Sequence, residues 1–329
     1  MDSAALSSED QEILENEIAD LEYRLQRAKE RLAKSDTAAA KINYKPSSLS
    51  SHPSSQSPHH YLLLLSDSAL PLGSFAFSSG LESYLAHTRR QQQQQQRGPS
   101  YSSFSSSSSG PGPRPASPFS SFLPLSISSY ASTTLPFALA AHRDPDPDTV
   151  AQLDDALDAA IICAVGRRAS AQQGRALLAI WEKSMAAAAD PGGRLRAFGE
   201  VLRGGSSATA AISGKGNEEW NEPLPPPASA HLAPLFGAVS RLCGLTARQT
   251  AYVLMLGHVK ALVSAAVRAG LFGPYQAQRI LAGAEVRGLL EEVIEREWET
   301  GVEDAGQCVP VMDLWVGRHE LLYSRIFNS

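Results

Sequence analysis

Leu64-Leu65-Ser66-Asp67-Ser68-Ala69-Leu70-Pro71-Leu72-Gly73-Ser74-Phe75 carries an apolar run into a polar cluster and then into a proline-glycine turn. Proline presets one backbone angle and glycine admits positive φ, so Pro71, Gly73 and Ser74 describe a shaped connection. Just beyond it, Ser79-Gly80-Leu81-Glu82 has the spacing of a capping box. In that motif the serine oxygen accepts the amide three residues on and the glutamate reaches back to the start of the helix. A shaped turn delivered into a capped helix marks the entry to a helical domain.

Outward from this point the apolar residues recur at helical spacing. Asp146-Pro147 opens a segment with Val150, Leu153, Leu157, Ala160, Ile161 and Ala164 on one stripe; aspartate caps, and proline is tolerated in a first turn. Gly174, Leu177, Leu178 and Trp181 continue the period. Thr246-Ala247-Arg248-Gln249 is a second capping box, before an apolar helix that stops near Gly270. Gly273-Pro274 starts a helix expected to carry Ile280, Leu281, Ala284, Val293 and Ile294, and Met312 to Phe327 forms the last. Strand-like alternation is scarce, apart from the short run Tyr61 to Leu65. An all-α fold is expected, in a single helical bundle over residues 61–329.

The flanks and interruptions have a different composition. In residues 1–36, Leu14, Ile18, Leu21, Leu25, Ala28 and Leu32 alternate four- and three-residue steps, the seam of a short coiled coil. Acids lead and bases follow, which complements the helix dipole. This segment is either a dimerising or docking helix or a solvated amphipathic one. Residues 37–60, rich in Ser, Pro and His, read as a disordered linker. Two tracts, residues 91–118 and 204–229, are too polar to offset ordering entropy and are expected as disordered insertions. Within the second, Ser213-Gly214-Lys215-Gly216 lacks the glycine spacing and flanking strand of a phosphate loop. A shorter polar break spans Thr300 to Gln307.

Composition bounds the function. The chain has 329 residues, 43% of them hydrophobic, and a formal charge of −5, which gives no broad basic footprint for nucleic acid. Cys163, Cys243 and Cys308 are odd in number and widely spaced, as expected of reduced thiols rather than a disulfide framework. The apolar stretch Tyr252 to Val267 is interrupted by His258 and Lys260 and falls short of the roughly 20 residues that span a bilayer. With no basic-then-apolar leader, a cytoplasmic protein without membrane partners is expected.

No recognised catalytic set emerges, so the expectation is a protein that is not an enzyme. Gly73-Ser74-Phe75-Ala76 is not a nucleophile elbow. His52, His59 and His60 fall in the linker; His87, His142, His231, His258 and His319 fall on helices or at their ends. None forms a close His-x-x-x-His or Cys-x-x-Cys pair of metal-ligand spacing, so packing or hydrogen-bonding roles are expected. The far end reads Asp313-Leu314-Trp315-Val316-Gly317-Arg318-His319-Glu320-Leu321-Leu322-Tyr323-Ser324-Arg325-Ile326-Phe327-Asn328-Ser329. A charged helix running into such a tail is either a frayed terminus or a docking tail, and the aromatic and apolar anchors favour docking, since Tyr323, Ile326 and Phe327 would otherwise be exposed.

Both ends resemble the urease accessory protein F family. The first stretch is similar to its pattern Leu-Ser-Asp-Ser-x-Leu-Pro-x-Gly-Ser-aromatic followed by Gly-Leu-Glu, and the last to Arg-His-Glu-x-Leu-Tyr-Ser-Arg-Leu-Phe-x-Ser, with Ile326 for leucine. Arg168-Ala169-Ser170, Gln173 to Leu178, His231 to Gly237, Leu262 to Arg268 and Gln278-Arg279 resemble internal stretches. The resemblance implies an all-helical homodimer that assists nickel insertion into urease. It would bind the D-type accessory protein, recruit the G-type GTPase and act with them on apo-urease, nickel and GTP being handled by those partners. The residues expected to bind partners are Phe75, Glu82, Arg318, His319, Glu320, Tyr323, Arg325 and Phe327; Pro71, Gly73, Ser74 and Gly80 shape the turn. Two alternatives stand beside the scaffold: a regulator of the GTPase, acting through Arg318 or Arg325, and a nickel carrier in its own right. One departure is plain. Many family members carry a histidine where this chain has Phe77, so a role for that histidine in relaying metal does not transfer.

Overall fold

The structure, a computed structural model, describes residues 57–67, 74–97, 117–212 and 228–328. The expected helix in residues 1–36, most of the linker, and Pro71 and Gly73 of the shaped turn lie outside the described residues. The described residues form one compact unit, and all regular structure in it is helical.

Eleven α-helices are described: α1 Pro58–Leu65, α2 Leu81–Arg97, α3 Pro118–Arg143, α4 Pro147–Ala160, α5 Ala164–Ile180, α6 Arg194–Ile212, α7 Leu232–Leu242, α8 Ala247–Arg268, α9 Pro274–Leu281, α10 Ala284–Arg296 and α11 Val311–Arg318. A π-helical turn, Trp181–Met185, and Ala186–Ala189 prolong α5. Short 3₁₀ turns stand at Ser74–Ala76 and His319–Leu321.

The centre is α3, packed against α7 and α8, with α10 also against it. Sequence periodicity did not single α3 out, because it contains Pro124, Pro136 and many hydroxyl residues. Ser117 caps it, accepting the Ser120 amide at 3.2 Å, and Pro118 occupies the first turn, where no amide is needed. Deeper in the helix a proline removes the donor for the carbonyl four residues earlier. For Pro136 that carbonyl belongs to Ser132, and the amide of Gly306 supplies the missing bond at 3.1 Å. The hydroxyls turn inward on their own backbone, Thr133 Oγ1 donating to Ser129 O at 2.8 Å. The small residues allow close approach. A Cβ built on Gly237 of α7 would lie 2.0 Å from the carbonyl oxygen of Ala138, so α3 and α7 touch backbone to backbone.

Several expected boundaries shift. Tyr61 to Leu65 is helical, and α1 starts at Pro58, so His59 and His60 belong to a helix rather than to the linker. Glutamine is a good helix former, and α2 runs through Gln91–Gln96 to Arg97, within the tract expected as an insertion. Alanines likewise carry α6 to Ile212, inside the second tract, and Ala228 and Ala230 at its other end are buried. The stripe from Asp146 breaks at Ile161–Cys163, and the helix from Gly273 breaks at Ala282–Gly283. The last helix stops at Arg318 instead of reaching Phe327. The Thr246 capping box is formed as expected. At 22 residues α8 is long and apolar enough to cross a bilayer by composition, longer than the sequence suggested, and 56% of its apolar window is buried in the core.

A buried carboxylate fixes the return from the second tract. Asp154, 1% exposed on α4, accepts the amides of Ser229, Ala230 and His231. Next to it, His231 Nε2 lies 3.0 Å from Asp158 Oδ1.

Candidate functional site

The start of α2 and the C-terminal segment meet. Sequence spacing suggested that Glu82 would reach back to cap its own helix. Instead Ser78 Oγ approaches the Glu82 amide at 3.4 Å, and the Glu82 side chain turns to the C-terminal segment. Its carboxylate accepts from His319 Nε2 at 2.9 Å, from the Ile326 amide at 2.7 Å and from the Phe327 amide at 3.2 Å. A carboxylate has acceptor capacity for all three, and the imidazole is the donor in this pair. His319 is fully buried. The Asn328 amide adds a bond to Ala76 O at 2.8 Å, on the turn that follows the shaped connection.

Arginines and aromatics complete this clasp. Arg268, at the end of α8, donates to the Phe75 carbonyl and lies over the Phe327 ring, 4.4 Å from its centroid. Desolvation holds the Arg268 guanidinium below its ordinary pKa. Arg168 on α5 pairs with Glu320 and holds that carboxyl below the usual range. Gly80 has φ +85°, and a Cβ on it would lie 3.0 Å from both Trp315 Cβ and Val316 N. Only glycine offers that backbone and admits α11 so closely. Ser83 Oγ donates to Trp315 O, and Tyr84 meets the Trp315 ring edge to face at 5.5 Å.

The nominated residues therefore separate. Glu82, His319 and Phe327 are inside the fold and fix the tail. Phe75, Arg318, Glu320, Tyr323 and Arg325 are exposed, with Tyr323 wholly so and Ile326 and Leu321 exposed beside them. Arg268, Arg168 and Trp315 were not nominated by sequence. Arg268 closes one of the internal stretches that carried the resemblance, and its position at the end of α8 was the available signal.

The UreF family model matches residues 117–285, which run from the cap of α3 into α10. The chain belongs to the UreF family. A Schizosaccharomyces pombe protein named as an uncharacterised urease accessory protein UreF-like is 32% identical over 275 residues, covering 84% of this chain and 99% of that one. Urease accessory protein F of Oryza sativa subsp. indica is 28% identical over 263 residues (80% and 82%), and urease accessory protein 6 of Cryptococcus neoformans 27% over 318 residues (82% and 96%). A urease accessory role follows from the family, and the all-helical bundle agrees with it. In this UreF chain Glu82, His319 and Phe327 lie outside the stretch that the family model matches, on both sides of it, whereas Arg168 and Arg268 lie within it.

Behind the clasp two adjoining cavities of about 140 and 310 Å³ share Phe77, Ser79, Tyr130, Gln173, Leu232 and His258. Phe77, at the position where the family pattern often has histidine, is buried and lines both. The His258 ring stacks flat on Tyr130, centroids 4.0 Å apart, with Nε2 3.0 Å from Ser126 Oγ. Burial pushes His258 down to about 4 and the Tyr130 phenol up to about 12, so both are neutral near pH 7. Among the described residues no three His, Cys, Asp or Glu side chains are grouped to hold a metal ion.

Proposed function

We propose that this chain is a scaffold for urease maturation: it binds the D-type urease accessory protein and recruits the G-type GTPase, and the assembly delivers nickel to apo-urease. The observation that supports this is the split within the C-terminal segment. Glu82 fixes the backbone at Ile326 and Phe327, while Leu321, Tyr323, Arg325 and Ile326 remain outside. A tail held at its end with aromatic, aliphatic and guanidinium groups facing solvent is preorganised for recognition, because its ordering is already met by intramolecular bonds. In this reading nickel and GTP belong to the partners, the scaffold works in the cytoplasm, and its active form is a homodimer.

The test is co-purification of the full chain with the D-type and G-type proteins, joined to an assay of urease activation. Capture of both partners and nickel-dependent activation are expected. Stoichiometric nickel retained by the chain alone in equilibrium dialysis would favour a carrier, and accelerated single-turnover GTP hydrolysis without activation would favour a regulator.

A further inference from the structure

A groove of about 220 Å³ lies between α2 and the turn that follows α11, beside the clasp but not part of it. Its walls include His87, Arg90, Arg318, Leu321 and Leu322. Arg90 and Arg318 are both exposed, and among the described residues neither has a carboxylate at ion-pair distance. Arg168, Arg203 and Arg248 are exposed but paired, with Glu320, Glu182 and Glu295; Arg241, Arg279 and Arg325 are exposed without such a pair among the described residues, but none of them lines this groove. Arg318 lies over the Trp315 ring, 5.9 Å from its centroid, a contact that restrains the side chain and leaves the charge unneutralised. The same wall offers Leu321, 80% exposed, and Leu322, with His87 beside them.

These features specify an occupant. In a chain of formal charge −5, two neighbouring unpaired guanidinium groups reverse the sign locally and favour an acidic partner surface. Each guanidinium is a planar fork suited to a carboxylate, and Leu321 with Leu322 offers apolar area that a carboxylate cannot use. We infer that this groove docks an acidic segment of a partner protein, its carboxylates on Arg90 and Arg318 and an apolar side chain against Leu321 and Leu322. The inference rests on the scaffold reading above and adds to it the chemistry of the contact. Nucleic acid fits less well, since two guanidinium groups in a chain of formal charge −5 give no extended basic track for a phosphate backbone.

The experiment measures binding of the full chain to the D-type and G-type accessory proteins at low and moderate NaCl. Wild type is compared with Arg90→Glu, Arg318→Glu, the double variant and Arg287→Glu as a control on α10. Each reversal in the groove is expected to weaken capture of one partner about tenfold, and the pair about a hundredfold, with a shallower salt dependence and unchanged melting. Arg90→Glu keeps the test decisive if Arg318→Glu disturbs Trp315. A double variant that binds within about twofold of wild type overturns the groove as a docking site. If that variant binds normally while Tyr323→Ala does not, the groove fails and the scaffold reading stands. If wild type captures neither partner, the scaffold reading falls and the groove with it.

Discussion

Glu82 and His319 are 237 positions apart in the chain, and their carboxylate oxygen and imidazole nitrogen are 2.9 Å apart in the fold. The same carboxylate holds two amides of the tail, so one side chain ties the start of α2 to the end of the described chain. Glu82→Ala leaves a buried imidazole and two amides without their acceptor and is expected to cost about 3 kcal/mol. Chemical denaturation gives the loss, and hydrogen exchange at Ile326 and Phe327 gives its location. Tail amides that stay protected in the variant would show that something other than Glu82 holds them.

Stability and recognition are expected to separate along the tail. Phe327 is 5% exposed under Arg268, so Phe327→Ala should lower stability by about 3 kcal/mol. Tyr323 is wholly exposed, and Tyr323→Ala should change stability by less than about 0.5 kcal/mol while weakening capture of a partner. Melting curves and co-purification on the same two variants check both halves.

Acid should weaken the fold partly through His258. Its folded pKa is lowered from 6.5 to about 4 by burial against Tyr130. Between those values the unfolded histidine is protonated and the folded one is not. The unfolded chain therefore binds more protons, and acidification favours it. The contribution is full above pH 6.5 and is lost as the pH falls toward 4, about 3 kcal/mol in all. His258→Phe keeps a ring on Tyr130 but removes the titration, so stability measured across this window should fall less steeply. His142, also lowered by burial, accounts for part of the slope that remains.

How much was legible in the sequence depended on where each bond is made. The caps of α4 and α8 are completed within a few residues, and Asp146 and Thr246 announce them. The prolines of α3 argue locally against a long helix. The Gly306 amide that meets the Ser132 carbonyl comes from a distant part of the chain, so no local pattern reports it. Glu82 failed in the opposite sense. Ser-x-x-Glu spacing suits a capping box, yet the glutamate has a better set of donors in the tail, and a local motif cannot rank a partner that lies so far along the sequence.

The return from residues 213–227 gives a further pair of expectations. Asp154→Ala strands the amides of Ser229, Ala230 and His231 in the interior and should cost about 3 kcal/mol or more. Ala230 has φ +64°, a region that costs a residue with a Cβ about 1–2 kcal/mol. Ala230→Gly relieves that strain, offset in part by about 0.4–1 kcal/mol of extra unfolded-state entropy, and should be neutral to mildly stabilising. Thermal denaturation distinguishes both outcomes from a segment without structural weight.

The central claim is that a tail fixed by Glu82 is the assembly surface. It is tested most directly by urease activity, and by nickel content of the purified urease, in cells whose own UreF protein has been replaced by this chain. Wild type is predicted to restore both. Glu82→Ala, expressed at matched soluble levels, and Tyr323→Ala are predicted to leave urease nickel-poor and inactive. Full activation by both variants would contradict the account.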